Sequence, residues 1–264
     1  REHWLRTLPS NVDGSPLGAS ALHQYDKVQP FVSPSPHPGL GSNNWVIAGS
    51  RTASGAPIVA NDMHLTMDIP CMWYENHLVC GDFNVTGVTL AGLPGVTVGH
   101  NGQVAWGLTS GIPDGQDLYI ECLRHTEDGR VQYAYQGQWL EARVIPEPIQ
   151  VRGGEDLVEE VIVTHHGPII NDVAADLVDE RPLALRWVSL QPDTMVEVIH
   201  DMNHARDNAA FWKAMRQWTA PYQNVVCADQ HVDIAYRLVG RVPIRAHENG
   251  LTPVPGWTGS YEWT

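Results

Sequence analysis

"PHPGLGSNNWVIAGSRTASGAPIVANDMHL" occupies residues 36–65. A proline- and glycine-punctuated approach ends at Gly41. From Ser42 the chain becomes a strand-like run through Asn44, Trp45, Val46 and Ile47. A serine at such a joint has a plain reading as a solvated loop residue. It has a second reading if the peptide bond before it is cut. Ser42 then gains an α-amino group with an ordinary pKa of about 7.7–8, so a useful fraction is neutral near pH 7. That amine can take the proton of the hydroxyl on its own residue, directly or through one water. Gly41 suits such a cut, because it lacks a side chain and lets the backbone take strained geometry. On this reading a loose tract is severed and a rigid strand holds the new terminus.

Outward from this stretch, strand signals dominate. Runs at 42–48, 56–60, 70–80, 95–99, 103–109 and 117–123 carry Val, Ile, Trp and Tyr between Gly, Pro, Asn or Asp. Glu127-Asp128-Gly129-Arg130 predicts a hairpin turn, since Asp-Gly readily takes positive φ. Strands are expected again at 139–145, 157–164, 183–189, 223–228 and 232–238. Helices come late. Asp207 can cap one running to Trp218, with Phe211, Ala214, Met215 and Trp218 on one stripe, and a shorter one is expected from about Thr194 to Asn203. Residues 1–41 read as a linker or extended packing segment, and the turn-rich "GLTPVPGWTGSYEWT" (250–264) leaves Trp257 and Trp263 looking exposed. Many strands and few helices predict a sheet-heavy fold covered by helices from outside.

The 264 residues suffice for a sizeable core, and the 43% hydrophobic and 17% charged content fits an ordered globular protein. Sixteen basic against 30 acidic residues give a net charge of −14. That balance argues against nucleic acid and anionic membrane surfaces as partners, and it is compatible with a divalent cation. No apolar run approaches a membrane span of about 20 residues. With Arg1 at its start and no signal peptide visible, the chain reads as a processed or truncated piece. The cysteines, at 71, 80, 122 and 227, have neither zinc-ribbon nor CxxC spacing. Four buried free thiols are expected, with a Cys71–Cys80 bridge as the alternative in an oxidising compartment.

G-x-S-x-G, H-E-x-x-H and Walker motifs are absent from the sequence, and its 13 histidines show no diagnostic spacing. A Ser/His/Asp triad stays open, because its members need not be close in the chain.

"GSNNWVIAGSRTASGAPIVANDMHL" (41–65) resembles the start of the catalytic β subunit in the penicillin acylase family of N-terminal nucleophile hydrolases. The resemblance continues through "LAGLPGVTVGHNGQVAWGLTSGIPDGQDLYIE", "THHGPII", "LALRWVSLQPDT", "PYQNVVCAD" and "PVPGWTGSYEW", covering nearly everything after residue 41. Within the family, His64 in "NDMHL" is similar to the acyl-homoserine-lactone and aculeacin acylase branch. The resemblance implies an α+β fold, a four-layer αββα sandwich. Residues 1–41 would be the end of the α chain plus spacer, and residues 42–264 the N-terminal part of the catalytic β chain. The reaction implied is hydrolysis of an amide through an acyl-enzyme on Ser42. His64 would orient the amine and the substrate through its backbone and side chain. The Ser110 backbone N–H and the Asn224 side chain would form the oxyanion hole, and Arg245 would lie near the amine. Asp114, Gln116 (through its carbonyl) and Asp117 resemble a calcium loop, which two carboxylates three residues apart suit chemically. No organic cofactor is implied.

The remaining α and β segments of the precursor would be partners, and the compartment periplasmic or extracellular. Where phenylacetyl-specific relatives place two phenylalanines and a serine, this chain has Leu65, Val98 and Leu108, an aliphatic pocket suited to flexible acyl chains. Two other readings remain. One is an inert piece that keeps the fold and acts as a binding or structural module. The other is a metal-dependent or Ser/His/Asp hydrolase on another sheet-rich fold.

Overall fold

A computed structural model describes residues 41–65, 68–173, 181–247 and 250–264. Of the expected linker, residues 1–41, only Gly41 is among the described residues, and it belongs to the first strand. The strands, in chain order, are β1 (Gly41–Ile47), β2 (Ile58–His64), β3 (Trp73–Cys80), β4 (Phe83–Leu90), β5 (Val98–His100) and β6 (Val104–Ser110). They continue with β7 (Gln116–Ile120), β8 (Leu123–His125), β9 (Val131–Tyr135), β10 (Gln138–Glu141), β11 (Arg143–Ile149), β12 (Leu157–Val163) and β13 (Leu183–Trp187). Helices α1 (Met195–Asn203) and α2 (Asn208–Met215) follow, then β14 (Gln223–Asp229), β15 (Ile234–Val239) and β16 (Val254–Pro255). The described chain divides into two compact units, residues 41–113 with 191–242, and residues 114–190 with 243–264.

In the first unit a six-stranded antiparallel sheet has the order β15-β14-β6-β5-β4-β3. Alternating residues point to opposite faces. On one face Trp106, Val225 and Cys227 join Phe211, Trp212, Met215 and Trp218 in a common core, with the Trp106 and Phe211 rings 5.7 Å apart. The apolar stripe read from the sequence of α2 is thus what seats it, and the Asp207 carboxylate caps it by accepting from the Ala210 N–H at 2.7 Å. The opposite face meets the β1–β2 ribbon. There Gly107 permits a close approach, since a Cβ at that position would lie 3.0 Å from Asn61 Oδ1, tighter than an ordinary contact.

The second unit contains a three-stranded sheet, β13-β7-β16, with Leu118, Ile120, Leu183 and Trp257 in its core. It also holds the three-stranded β10-β9-β8 sheet and the β11–β12 hairpin. Glu127-Asp128-Gly129-Arg130 connects β8 to β9 as expected, with Gly129 at φ 82°.

The structure departs from the sequence reading in several places. Strand β4 was not foreseen, because Asn84, Thr86, Gly87 and Thr89 dilute its apolar pattern. The run expected at 117–123 breaks into β7 and β8, and the one at 139–145 into β10 and β11. Trp257 is buried under β7 rather than exposed. All four cysteines are free, but only Cys227 is buried, while Cys71 and Cys80 are exposed. Gly41 sits in β1 with nothing among the described residues within 4 Å of where a Cβ would project, and its φ lies outside the left-handed region, so among those residues neither crowding nor strain demands glycine there. Among the described residues, no helix is long and apolar enough to cross a membrane.

Candidate active site

Ser42 is the second residue of β1. The antiparallel register sets it opposite Met63 and sets Gly41 opposite His64. Its hydroxyl donates to the Gly41 carbonyl at 2.6 Å, so Oγ lies beside the peptide group whose cleavage would free the Ser42 amine. The pleat places Ser42 and Asn44 with Asn61 and Met63 on the better covered face of the ribbon. It puts Asp62 and His64 on the other face, where His64 Nε2 and Asp62 Oδ2 lie 2.7 Å apart in an exposed contact. The side-chain half of the role expected for His64 therefore has no geometric basis here. Only its main chain, opposite Gly41, is beside the joint.

Asparagines fasten this ribbon to the sheet. Asn44 Nδ2 donates to the Asn224 carbonyl at 2.8 Å and to the Gly107 carbonyl at 3.3 Å. Asn61 Oδ1 accepts from the Leu108 N–H at 2.7 Å, while Asn61 Nδ2 donates to the Asn43 carbonyl. Each such bond adds about 0.5–1.5 kcal/mol net, and neither end carries a charge. Register pairs Asn224 with Thr109 and Val226 with Gly107. Asn224 thus shares the face of Gly107, toward the ribbon and Ser42. Its Nδ2 donates to the Ser110 carbonyl at 3.1 Å, and its Oδ1 accepts from the Tyr236 hydroxyl at 2.8 Å. The structure brings Ser110 and Asn224 together and ties Asn224, through Asn44, to the strand that Ser42 opens. Asn44, Asn61 and Tyr236 escaped the sequence reading. The only signal was three asparagines in two short strands, where asparagine is normally depleted.

The expected pocket residues separate. Leu65 follows β2 and is exposed. Val98 is buried in the core of the six-stranded sheet. Leu108 is buried too, and by alternation it shares the face of Trp106, against the helices and away from Asn224. As arranged it is a core residue, not a pocket wall, because β6 turns its other face to the ribbon.

In the second unit, Arg245 meets the acidic loop. Its Nε lies 3.0 and 2.9 Å from the two Asp117 oxygens, and its Nη2 donates to Asp117 Oδ1 at 2.9 Å and to the Asp114 carbonyl at 3.1 Å. Trp263 Nε1 donates to Asp117 Oδ2. Both Asp117 oxygens are therefore engaged, by three N–H groups of which the Nε–H is shared between them. Both partners are largely buried, the Arg245 side chain 13% and Asp117 6% exposed. Burial pushes the Asp114 carboxyl above its ordinary range, and the Asp117 charge adds to this, while the Gln116 N–H and Arg245 oppose it. In this arrangement the residues do not fit a calcium ion, since both Asp117 oxygens are already hydrogen-bonded and the guanidinium supplies the positive charge that a cation would bring. Gln116 Oε1 is buried without a hydrogen-bond partner.

A further cluster lies on "THHG". His166 Nδ1 is 2.7 Å from Glu121 Oε1 and its Nε2 is 2.8 Å from Glu262 Oε1, both imidazole and Glu121 side chain being fully buried. Arg186 holds Glu262 Oε2 at 2.6 Å, Thr164 donates to Glu121 Oε1, and the Tyr119 ring stacks on His166 at 3.8 Å. Burial pulls the imidazole pKa down, but the hydrogen bonds to Glu121 and Glu262 more than offset this and raise it. Burial likewise opposes ionisation of Glu262, yet His166 and Arg186 lower its pKa to about 2. His166 is therefore a buried strut between two carboxyl groups that favour its protonated form.

The match to a solved structure fixes the class. Over 83% of this chain and 39% of the other, the chain superposes on a thermostable penicillin G acylase from Alcaligenes faecalis with a TM-score of 0.70 at 26% identity. The architecture is that of the N-terminal nucleophile hydrolases, α+β and sheet-rich.

Residues 4–264 match the penicillin amidase family model, and the chain belongs to that family. It is 35% identical over 231 residues to the acyl-homoserine lactone acylase QuiP of Pseudomonas aeruginosa, covering 84% of this chain and 27% of the relative. It is 38% identical over 227 residues to the penicillin acylase 2 proenzyme of Pseudomonas sp. strain SE83, covering 85% and 29% respectively. The chain thus spans less than a third of the length of these relatives.

Proposed function

We propose that this chain carries the nucleophile of an amide hydrolase, Ser42, freed by cleavage of the Gly41–Ser42 bond. The observation that carries the reading is Asn224, which faces the ribbon side of the sheet, is bonded to Ser110 and is linked through Asn44 to β1. In maturation, Ser42 Oγ attacks the Gly41 carbonyl carbon, the C–N bond breaks, and the nitrogen takes the hydroxyl proton. Water then hydrolyses the resulting ester, leaving the Gly41 carboxylate and the free Ser42 amine. In turnover, that amine accepts the hydroxyl proton as Oγ attacks the substrate carbonyl. The Ser110 N–H and the Asn224 amide stabilise the oxyanion, an effect for which one donor is worth ~10²–10³ in rate. The protonated amine passes its proton to the departing nitrogen, and water releases the acid.

The substrates we propose are acyl-homoserine lactones, lipopeptides or β-lactam amides. Similarity to an acyl-homoserine lactone acylase and to a penicillin acylase supports the first and the last. The rest of the α and β segments of the precursor complete the enzyme, in the periplasm or outside the cell. To test this, the complete mature enzyme is quenched during turnover of an acyl amide and digested for mass spectrometry. The acyl mass is expected on the peptide that begins at Ser42. Turnover with the acyl group on another residue, or with none, overturns the reading.

A further inference from the structure

We propose that Tyr236 is a positioning residue that sets the direction of the Asn224 amide. The inference rests on the reading of Asn224 as an oxyanion donor. A side-chain amide can be turned end for end, and only one end donates. In β14 the Asn224 side chain lies between two groups. The Ser110 carbonyl, 3.1 Å away, can only accept, so it must face Nδ2. The Tyr236 hydroxyl, 2.8 Å from Oδ1, then donates. Together they leave one Nδ2 hydrogen committed to Ser110 and the other available to a developing oxyanion.

The sheet register explains why Tyr236 reaches this place. Asn224 pairs with Leu238 and Val226 pairs with Tyr236, so Tyr236 is the diagonal neighbour of Asn224 on the same face. Such a diagonal is spanned by an aromatic side chain and not by a short one. Tyr236 is 60% exposed, so its ring is not a core element and its hydroxyl is the part the fold uses. Without that donor, Oδ1 has only water to hold it, and the amide swings about χ2. Donors act in catalysis because they are already aimed before charge develops. Loss of aim therefore weakens transition-state binding and leaves substrate binding alone.

The test is a double-mutant cycle of Tyr236→Phe and Asn224→Ala in the purified mature enzyme, with kcat, KM and thermal unfolding measured for each. Tyr236→Phe is expected to lower kcat roughly 10-fold or more, with KM and unfolding temperature unchanged. Asn224→Ala is expected to lower kcat ~10²–10³-fold. Adding Tyr236→Phe to Asn224→Ala is expected to cost nothing further, because the residue acts only through the amide. A purely structural tyrosine would instead give additive losses and a lower unfolding temperature. Unchanged kcat in Tyr236→Phe beside a large loss in Asn224→Ala overturns the positioning role alone. Full activity in Asn224→Ala overturns the oxyanion reading and the positioning role with it.

Discussion

The two units fasten their strands in opposite ways. Around Ser42 the links are neutral, Asn44 and Asn61 bridging ribbon to sheet through backbone groups. In the other unit the links are charged and buried, Arg245 on Asp117 and His166 between Glu121 and Glu262. Neutral amides satisfy buried backbone groups without imposing a field. Buried charges rigidify, but each depends on its partner, because an orphaned charge is far costlier than a lost amide bond.

The contrast breaks most visibly at Arg245. Arg245→Met in the complete protein should leave Asp117 buried and uncompensated, costing about 3–5 kcal/mol by urea unfolding. The same measurement on the unmodified protein should be insensitive to a calcium chelator, because the guanidinium fills the cation's place. A large chelator effect would show that calcium displaces Arg245. Asn61→Ala should cost less, about 1–3 kcal/mol, by leaving the Leu108 N–H unsatisfied.

The pH profile sharpens the charged half of the comparison. His166 has a raised pKa, so its contribution is fully present below about 6.5 and is lost as pH climbs through the folded value. Glu262 is lowered to about 2, so its contribution is present above the unfolded value and is lost as pH falls from about 4.5 toward 2. His165 is lowered, by burial first and then by the charge on His166, so it stabilises only above its folded value and withdraws as pH falls below 6.5. The unfolding temperature should therefore peak near or just above pH 6.5, and Glu262→Gln should flatten the acid limb. A profile unchanged by that substitution would remove Glu262 from the account. The smallest effect is expected at Arg206 and Asp82, exposed at 73% and 91%. Arg206→Ala should leave the unfolding temperature unmoved, as exposed ion pairs usually do.

What the sequence made legible follows from what is local. The Asp207 cap, the α2 stripe and the Asp-Gly hairpin are decided within a few residues, and all three appear in place. The strand through Ser42, Trp45 and Ile47 was legible for the same reason. Strand β4 was not, although Gly81-Asp82 between Cys80 and Phe83 is a two-residue turn that could have announced it. Contacts between distant segments were out of reach. Asn44 meets Asn224 across 180 residues and Arg245 meets Asp117 across 128, and no periodicity encodes either pairing. The position of Leu108 failed for a subtler reason. A strand's pleat decides which face a residue serves, and β6 gives the face of Leu108 to the helices.

The central claim is that one hydroxyl, on Ser42, performs both maturation and catalysis. Intact-mass analysis of the complete precursor and its Ser42→Ala form tests it most directly. The unmodified protein should yield two chains, the second beginning at Ser42, with amidase activity. The Ser42→Ala form should remain a single uncleaved chain without activity. Normal two-chain maturation in the alanine form, or cleavage at a bond other than Gly41–Ser42, would contradict the account.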